Sequence, residues 1–378
     1  MALKGRGVIQ TQVAILGGGL AGLHAARLAH KAGVDFVLLE ARGRLGGRIL
    51  TVDPAGLPSE DGFDLGPSWY WPQMQPAMAA LIAELGLPAF AQNSQGDVIF
   101  ERMSRESAQR YRGSGAYQQS MRLVGGTASL VRALARNLPQ ARLRLGARVT
   151  QMALLENGVE LRVSRPEGGE EILLAQQVIA ALPPRLLEAT VAFTPAHEAA
   201  TIHRWRATAT WMAPHAKFLA IYDRPFWRDA GLSGTAQSMV GPMVEMHDAT
   251  TASGQAALFG FLGVPAEQRQ ASGEAGLARA CLAQFVRLFG REAEAPRGTL
   301  LKDWAADPLT ATIADQSAEG HILAETAPWV RGAWAARLAL GGSETSASEP
   351  GYLAGAVTAA GRAMVEILAR HACGGLGG

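Results

Sequence analysis

The chain of 378 residues is 48% hydrophobic and 18% charged, a globular balance that excludes intrinsic disorder; its length excludes one small core. A net charge of +2 gives no field to draw nucleic acid or an anionic membrane, and the basic clusters at 4–6 and 42–48 are short and interleaved with glycine. The two cysteines, Cys281 and Cys373, match no disulfide or metal framework, as expected in a reducing, cytoplasmic setting.

The opening "MALKGRGVIQTQ" lacks the apolar core of a signal peptide, and no window is long enough to span a bilayer. The closing "HACGGLGG" reads as a flexible tail, so a soluble protein without a membrane partner is expected. From residue 13 the pattern is regular: a strand at 13–16, a glycine turn, a helix over 21–32 and a strand at Phe36–Leu39. Helical apolar spacing follows at 74–85 and 127–138. The stretch 142–182 reads as three strands, with Asn157-Gly158 as a hairpin turn and Pro183-Pro184 ending the third. Strands are expected at 215–222, 239–246 and 256–263, and helices at 274–289 and 353–369. Loops are expected at 93–97, 104–116, 250–255 and 341–351. Strand–helix units at both ends around a strand-rich middle predict an α/β nucleotide-binding domain interrupted by a second domain.

The stretch 13–40 contains Gly17-x-Gly19-x-x-Gly22 directly after a strand and at a helix start. Gly17 permits the tight turn, Gly19 lets the backbone approach a pyrophosphate, and Gly22 lets helix and strand pack closely. The helix N-terminus, with Leu20 and Ala21, offers amide donors and positive potential to an anion. Glu40 closes the second strand, where a carboxylate accepts bonds from ribose hydroxyls. Strand, turn, helix and acid in register predict dinucleotide binding rather than a structural glycine turn. The next residues, "EARGRLGGR" (40–48), resemble the extended fingerprint of FAD enzymes. There Ala41 and Arg42 would border the cofactor, while the glycine turn Gly46-Gly47 and Arg48 close over the pyrophosphate. Arg48 could instead be a plain surface charge.

In "HAKFLAIYDRPFW" (215–227) alternation puts Lys217 on one face with Leu219 and Ile221, and Phe218, Ala220 and Tyr222 on the other. One reading is an edge strand whose lysine discourages pairing with other chains. The other is an inward ammonium with a chemical task. His197, His203, His215 and His247 lack metal-ligand spacing, so no metal is expected and each reads as a surface or strand-end residue. Trp205, Trp211 and Trp227 flank the lysine strand as core or cavity lining.

Seven segments in order resemble the flavin monoamine oxidase family, over most of the chain: "FDLGPSWYWPQ" (63–73), the helix ending in "ELGL", "RLVGGTASLVRALA" (122–135), "VIAALPP" (178–184), "KFLAIYDRPFWR" (217–228), "KDWAADP" (302–308) and "LGGSETSASEPGYLAGAVTAAGRAMVEIL" (340–368). The resemblance implies that Lys217 holds a water against N5 of the flavin, the atom that receives the substrate hydride. It also implies that Trp304 and Tyr352 stand near the flavin, Tyr352 as a wall of an amine-guiding cage, although either could be ordinary core. Gly66, Pro67, Ser68 and Trp69 would run past the flavin ring, Val149 near the adenine, and Ala181 at the strand exit. Gly342, Ser343, Glu344 and Thr345 would contact the ribityl and phosphate region, with Gly351, Tyr352 and Leu353 opening the next helix.

Four departures from the family stand out. The other cage tyrosine falls near Ala314, so the substrate is not a small primary amine, or Trp329 or Trp334 fills in. The position of a covalent flavin–cysteine bond falls near Ile313, so FAD should be non-covalent. An acid usual at the last helix is Ala354. Residues 89–121 replace a long helical lobe that roofs the substrate cavity, which leaves an open site or one roofed by another subunit in a homodimer; the second is favoured.

These readings predict an FAD-binding Rossmann-type domain of three segments (1–88, 121–205 and 307–378), with an inserted mixed-sheet α+β substrate domain (89–120 and 206–306). The implied reaction passes a hydride from an amine to flavin N5, giving an imine and then a carbonyl. Dioxygen reoxidises the flavin and leaves as hydrogen peroxide. The catalytic set would be Lys217, Tyr352 and Trp304. Two alternatives stay open: a flavin desaturase or isomerase acting on C–C bonds of an apolar molecule, and a silent flavoprotein that serves as a binding subunit.

Overall fold

The computed structural model describes residues 9–113, 119–317 and 324–374. The basic cluster at 4–6, part of the expected loop 104–116, the Cys373 side chain and the last residues of the expected tail lie outside them. The chain forms two compact units. One comprises the chain up to Arg48, Val131–Trp211 and the chain from Gly320; the other comprises Ile49–Leu130 and Met212–Glu319. The fold is mixed α/β, with a Rossmann-like sheet in the first unit and a second mixed sheet in the other.

In the first unit, strand Ile9–Leu16 pairs in parallel with Phe36–Leu39 on one side and Glu170–Ala180 on the other. Both faces are covered, which is why 13–16 is a continuous apolar run without alternation. The long strand Glu170–Ala180 changes partner midway. Its first half pairs antiparallel with Gly158–Ser164, its second half in parallel with Leu338–Leu340. The expected hairpin is present, but Glu156-Asn157 form its turn and Gly158 already pairs with Leu155. A side chain at Gly158 would press on the Ala175 carbonyl, so glycine there serves close strand approach. Helix Leu20–Lys31 lays Ala21, Gly22, Ala25, Ala26 and Ala29 inward, and helix Leu353–Gly374 packs against it.

The second unit is built on a seven-stranded sheet ordered Gly298–Asp303, Ala216–Tyr222, Ala256–Leu262, Met243–Asp248, Leu232–Ser238, Asp97–Glu101, Gln109–Tyr111. Strand Ala216–Tyr222 lies inside it, paired on both sides, and all seven of its residues are buried. Phe218, Ala220 and Tyr222 face a core with Leu277, Cys281 and Phe285 of helix Ala266–Phe289. Leu219 and Ile221 face Val52, Phe63, Leu65, Ala257 and Phe259. That second core explains why residues 49–65 pack in this unit: they cover the sheet face that carries Lys217. Removing a fully buried aromatic such as Phe218 would cost roughly 3–5 kcal/mol.

Several strands escaped the sequence reading. Asp97–Glu101, Gln109–Tyr111, Leu232–Ser238 and Gly298–Asp303 are short or polar, and Gln109–Tyr111 lies within an expected loop. Residues 89–113 and 119–121 thus supply strands in the stretch expected to stand in place of a helical lobe. The helix expected at 274–289 is present, and a further helical segment from Ala266 precedes it, the two separated at Gly273, which has a φ of 67°. No helix among the described residues is long and apolar enough to cross a membrane.

Candidate active site

The first unit gathers two glycine turns at the carboxyl ends of its parallel strands, where such sheets bind ligands. Gly17 has a φ of +99°, and a β-carbon on it would lie 2.9 Å from the Ala181 carbonyl oxygen. One on Gly22 would fall on the carbonyl oxygen of Gly17, so only glycine lets the helix start so near the strand. Gly19, by contrast, would meet nothing nearer than the Gly46 oxygen at 3.8 Å. The backbones of Gly19 and Gly46 form a bridge, and the Gly46 amide donates to Gly18 at 2.8 Å. Helix Leu20–Lys31 has no side-chain cap and no acid in its first turn, which leaves its terminal amides for an anion. This is a cradle that the pyrophosphate of a dinucleotide fits.

Glu40 accepts the Gly18 amide at 2.6 Å on one carboxylate oxygen and the Arg42 amide at 2.7 Å on the other. Each oxygen keeps a lone pair for a ribose hydroxyl. The amides of Gly146 and Ala147 bond the carbonyls of Arg42 and Glu40, which ties the strand carrying Val149 to Ala41 and its neighbours. Arg48 donates to Glu344 Oε1 at 2.5 Å, to the Trp211 carbonyl at 2.9 Å and to Ser343 Oγ at 3.1 Å. Arg48 is therefore no plain surface charge; it pins the segment 342–345, with Glu344 fully buried. A β-carbon on Gly342 would fall on the Leu182 carbonyl oxygen, and one on Gly351 (φ +84°) on Trp211. Tyr352 and Leu353 follow that turn, and burial raises the Tyr352 phenol above its ordinary range. Trp329 and Trp334, the two candidates for the missing cage wall, are both packed in the core of this unit.

In the second unit, the edge reading of Lys217 fails, because its strand has partners on both sides. The residue is 2% exposed. Its ammonium donates to the carbonyl oxygens of Asp64 (2.7 Å) and Gly66 (3.2 Å) and to Ser68 Oγ (2.8 Å). Nζ also lies 4.0 Å from the centre of the Phe259 ring. Three donors and three acceptors are matched, so the charged form can persist without water. Burial draws its pKa down to about 7, with Asp64 opposing the shift and Arg122 adding to it. Asp64 Oδ1 in turn accepts from Thr51, the Thr127 amide and the Thr127 hydroxyl. Trp304 is buried and donates its indole N–H to the Leu65 carbonyl at 3.0 Å. Lys217, Trp304 and the segment 64–69 thus form one cluster, with Pro67 accepting from Thr127.

Sequence reasoning missed two groups on this face. His247, expected at the surface or at a strand end, is the next-to-last residue of strand Met243–Asp248, packs against the rings of Trp69 (4.8 Å) and Phe259 (5.4 Å), and contacts Glu245 Oε1 at 2.6 Å. The available signal was the i, i+2 spacing of Glu245 with His247 and of Phe259 with Phe261. His197, likewise expected at the surface or at a strand end, is buried in the first unit among Phe193, Trp205 and Trp334, with no hydrogen-bond partner for either ring nitrogen among the described residues.

The profile of the flavin containing amine oxidoreductases matches residues 101–368, and that of an NAD(P)-binding Rossmann-like domain matches residues 15–85. A relative in Mycobacterium tuberculosis, AofH, named as a candidate flavin-containing monoamine oxidase, is 26% identical over 470 aligned positions, covering 94% of this chain and 96% of its own. A solved putrescine oxidase bound to putrescine superposes with a TM-score of 0.80 at 20% identity, over 96% of this chain and all of that one. Cyclohexylamine oxidase from Brevibacterium oxydans superposes with a TM-score of 0.78 at 19% identity, over 96% and 99%. At those identities the structures speak for the fold alone. With the family profile covering well over half of its length, the chain belongs to the flavin containing amine oxidoreductases.

Proposed function

We propose that the chain is an FAD-dependent amine oxidase that holds its cofactor without a covalent bond. The observation that carries this reading is Lys217, a lysine buried on an interior strand with every ammonium donor engaged on the segment Asp64–Ser68. A stability-driven core has no use for that charge. When bound, FAD would supply the two-electron acceptor for the C–H bond beside the amine nitrogen and pass the electrons to dioxygen, with hydrogen peroxide as product. In this reading Gly17, Gly19, Leu20, Ala21, Gly22, Gly46 and Gly47 take the pyrophosphate and Glu40 the adenosine ribose. Segment 342–344 would be held against the cofactor through Arg48.

Lys217 then acts on the backbone rather than on a free water. It fixes Gly66, Pro67, Ser68 and Trp69, and because Ser68 Oγ accepts from the ammonium, its own O–H is left to donate outward. In the second unit Trp304, with its N–H spent on Leu65, would offer a fixed apolar face. Such a face favours a neutral, desolvated amine, the form able to lose electrons. Cys281, the described thiol, is fully buried and burial pushes its pKa up to about 12, which supports a non-covalent cofactor.

Anaerobic mixing of the FAD-loaded protein with a panel of amines tests the reading. Bleaching of the flavin band near about 450 nm by amines, with peroxide on readmitting oxygen, is the expected result. Bleaching only by apolar donors without nitrogen would replace it with the desaturase reading. No bleaching by any donor would leave a silent binding subunit. Acid precipitation should release the flavin into solution.

A further inference from the structure

Asp64 serves the lysine cluster twice. Its backbone oxygen takes the Lys217 ammonium at 2.7 Å. Its carboxylate oxygen Oδ1 takes the Thr51 hydroxyl (2.6 Å), the Thr127 amide (2.8 Å) and the Thr127 hydroxyl (2.9 Å). The other oxygen, Oδ2, is buried and has no hydrogen-bond partner among the described residues. The charge of this carboxylate is thus answered by neutral donors on one oxygen and by nothing on the other.

Two buried cations of the same unit are in the same position. Lys217 spends its donors on two carbonyls and a hydroxyl. Arg122, 5% exposed, donates to the carbonyls of Thr250 (2.8 Å) and Ala249 (3.2 Å), and its Nε has no partner among the described residues. Three buried charges therefore meet only neutral groups directly and must answer one another across a gap. Other charges nearby are already matched. Lys302, the register partner of Lys217, holds Asp307 at 3.2 Å, and Asp248 holds Arg228 at 2.7 Å. On the other side, beyond Phe261, Glu245 contacts His247.

The charge state of Lys217 decides what Ser68 does. An ammonium has three donors and no lone pair, so Ser68 Oγ accepts and its own proton points elsewhere. A neutral amine has two donors and one lone pair. The two carbonyls take both donors, and the lone pair is left for the Ser68 O–H, which turns inward. We propose that Asp64 is a positioning residue: its buried carboxylate is the counter-ion that keeps Lys217 an ammonium, and through Lys217 it keeps the Ser68 hydroxyl turned away from the lysine. The proposal rests on the amine oxidase reading only for what that hydroxyl does in turnover.

The test reads Lys217 directly. The chain has four lysines, Lys4, Lys31, Lys217 and Lys302, so NMR of FAD-loaded protein carrying carbon-13-labelled lysine can follow each side chain with pH. The Lys217 resonance is the one absent from Lys217→Met, and in the parent it should titrate at about pH 7. Asp64→Asn keeps an oxygen for the three donors and removes the charge, so it should move this titration down by about one pH unit or more. Arg122→Gln should move it up. A Lys217 titration that stays put in Asp64→Asn, or in Arg122→Gln should the first variant not fold, overturns the proposal. No amine is present, so this result is independent of the oxidase reading. In anaerobic mixing, reduction by saturating amine should fall as pH rises through the Lys217 titration, and in Asp64→Asn the fall should begin lower by the same shift. A fall that stays in place while Lys217 moves overturns the link to Ser68. A shifted titration in a protein whose flavin no amine bleaches upholds the counter-ion and overturns the oxidase reading.

Discussion

Replacing Lys217 by methionine tests the energetic account of the lysine cluster as well as its role. Lys217 is protonated up to about pH 10.5 in the unfolded chain but gives up its proton near pH 7 when folded. Between those values the unfolded chain binds one more proton, so folding stability contributed by this group rises with pH. From pH 7 to pH 9 the rise works out at about 2 kcal/mol. Methionine removes that slope. It also strands the carbonyls of Asp64 and Gly66, each costing about 1–3 kcal/mol, while relieving the burial of a charge. The two effects offset near neutrality, so the variant should fold. Urea unfolding of parent and variant at pH 7 and pH 9 isolates the term, because every other titrating group cancels in the difference of differences. Equal pH slopes in the two proteins would refute the reasoning. In the same variant FAD should stay bound, since the cradle belongs to the other unit, while reduction by amine slows by about tenfold or more as segment 64–69 loses its anchor.

Gly22→Ala should lower FAD affinity by at least about tenfold, because its β-carbon falls on the Gly17 carbonyl oxygen and displaces the turn. Flavin retained on ultrafiltration is the measure, and retention equal to the parent would show that the turn yields freely. His197→Phe should remove an acid-sensitive term. Burial holds this imidazole down to about 4 against 6.5 unfolded, so its contribution is complete above pH 6.5 and is lost as pH falls towards 4. At pH 5 the parent should have lost about 2 kcal/mol relative to the variant, compared with pH 7.5, and identical pH profiles in denaturant would reject that account.

The geometry of the glycine turns was legible because it is written in residue types: glycines at fixed spacing, an acid at the end of the second strand, and small residues on one helix face. The lysine strand was legible as a strand, but not its place within the sheet, which depends on the polar edge strand Gly298–Asp303 carrying little periodic signal. The partners of Lys217 were hidden for another reason: Asp64 and Gly66 receive it through backbone oxygens, which any residue possesses. Trp334 and Trp329 were ambiguous, since a tryptophan looks the same in sequence whether it lines a cavity or fills a core. Glu245 and His247 needed the register of three strands to be brought beside Trp69.

The long strand Glu170–Ala180, with partners on both flanks, has a consequence for how the protein is made. Its second half waits for Leu338–Leu340, and the helix that begins at Leu20 waits for the one that begins at Leu353. During synthesis the sheet carrying the glycine turns therefore stays open on one side while more than a hundred further residues, including most of the second unit, leave the ribosome. That second unit draws all its segments from before residue 320 and can close first. The order of assembly is then the reverse of the order of translation: the part begun first is finished last.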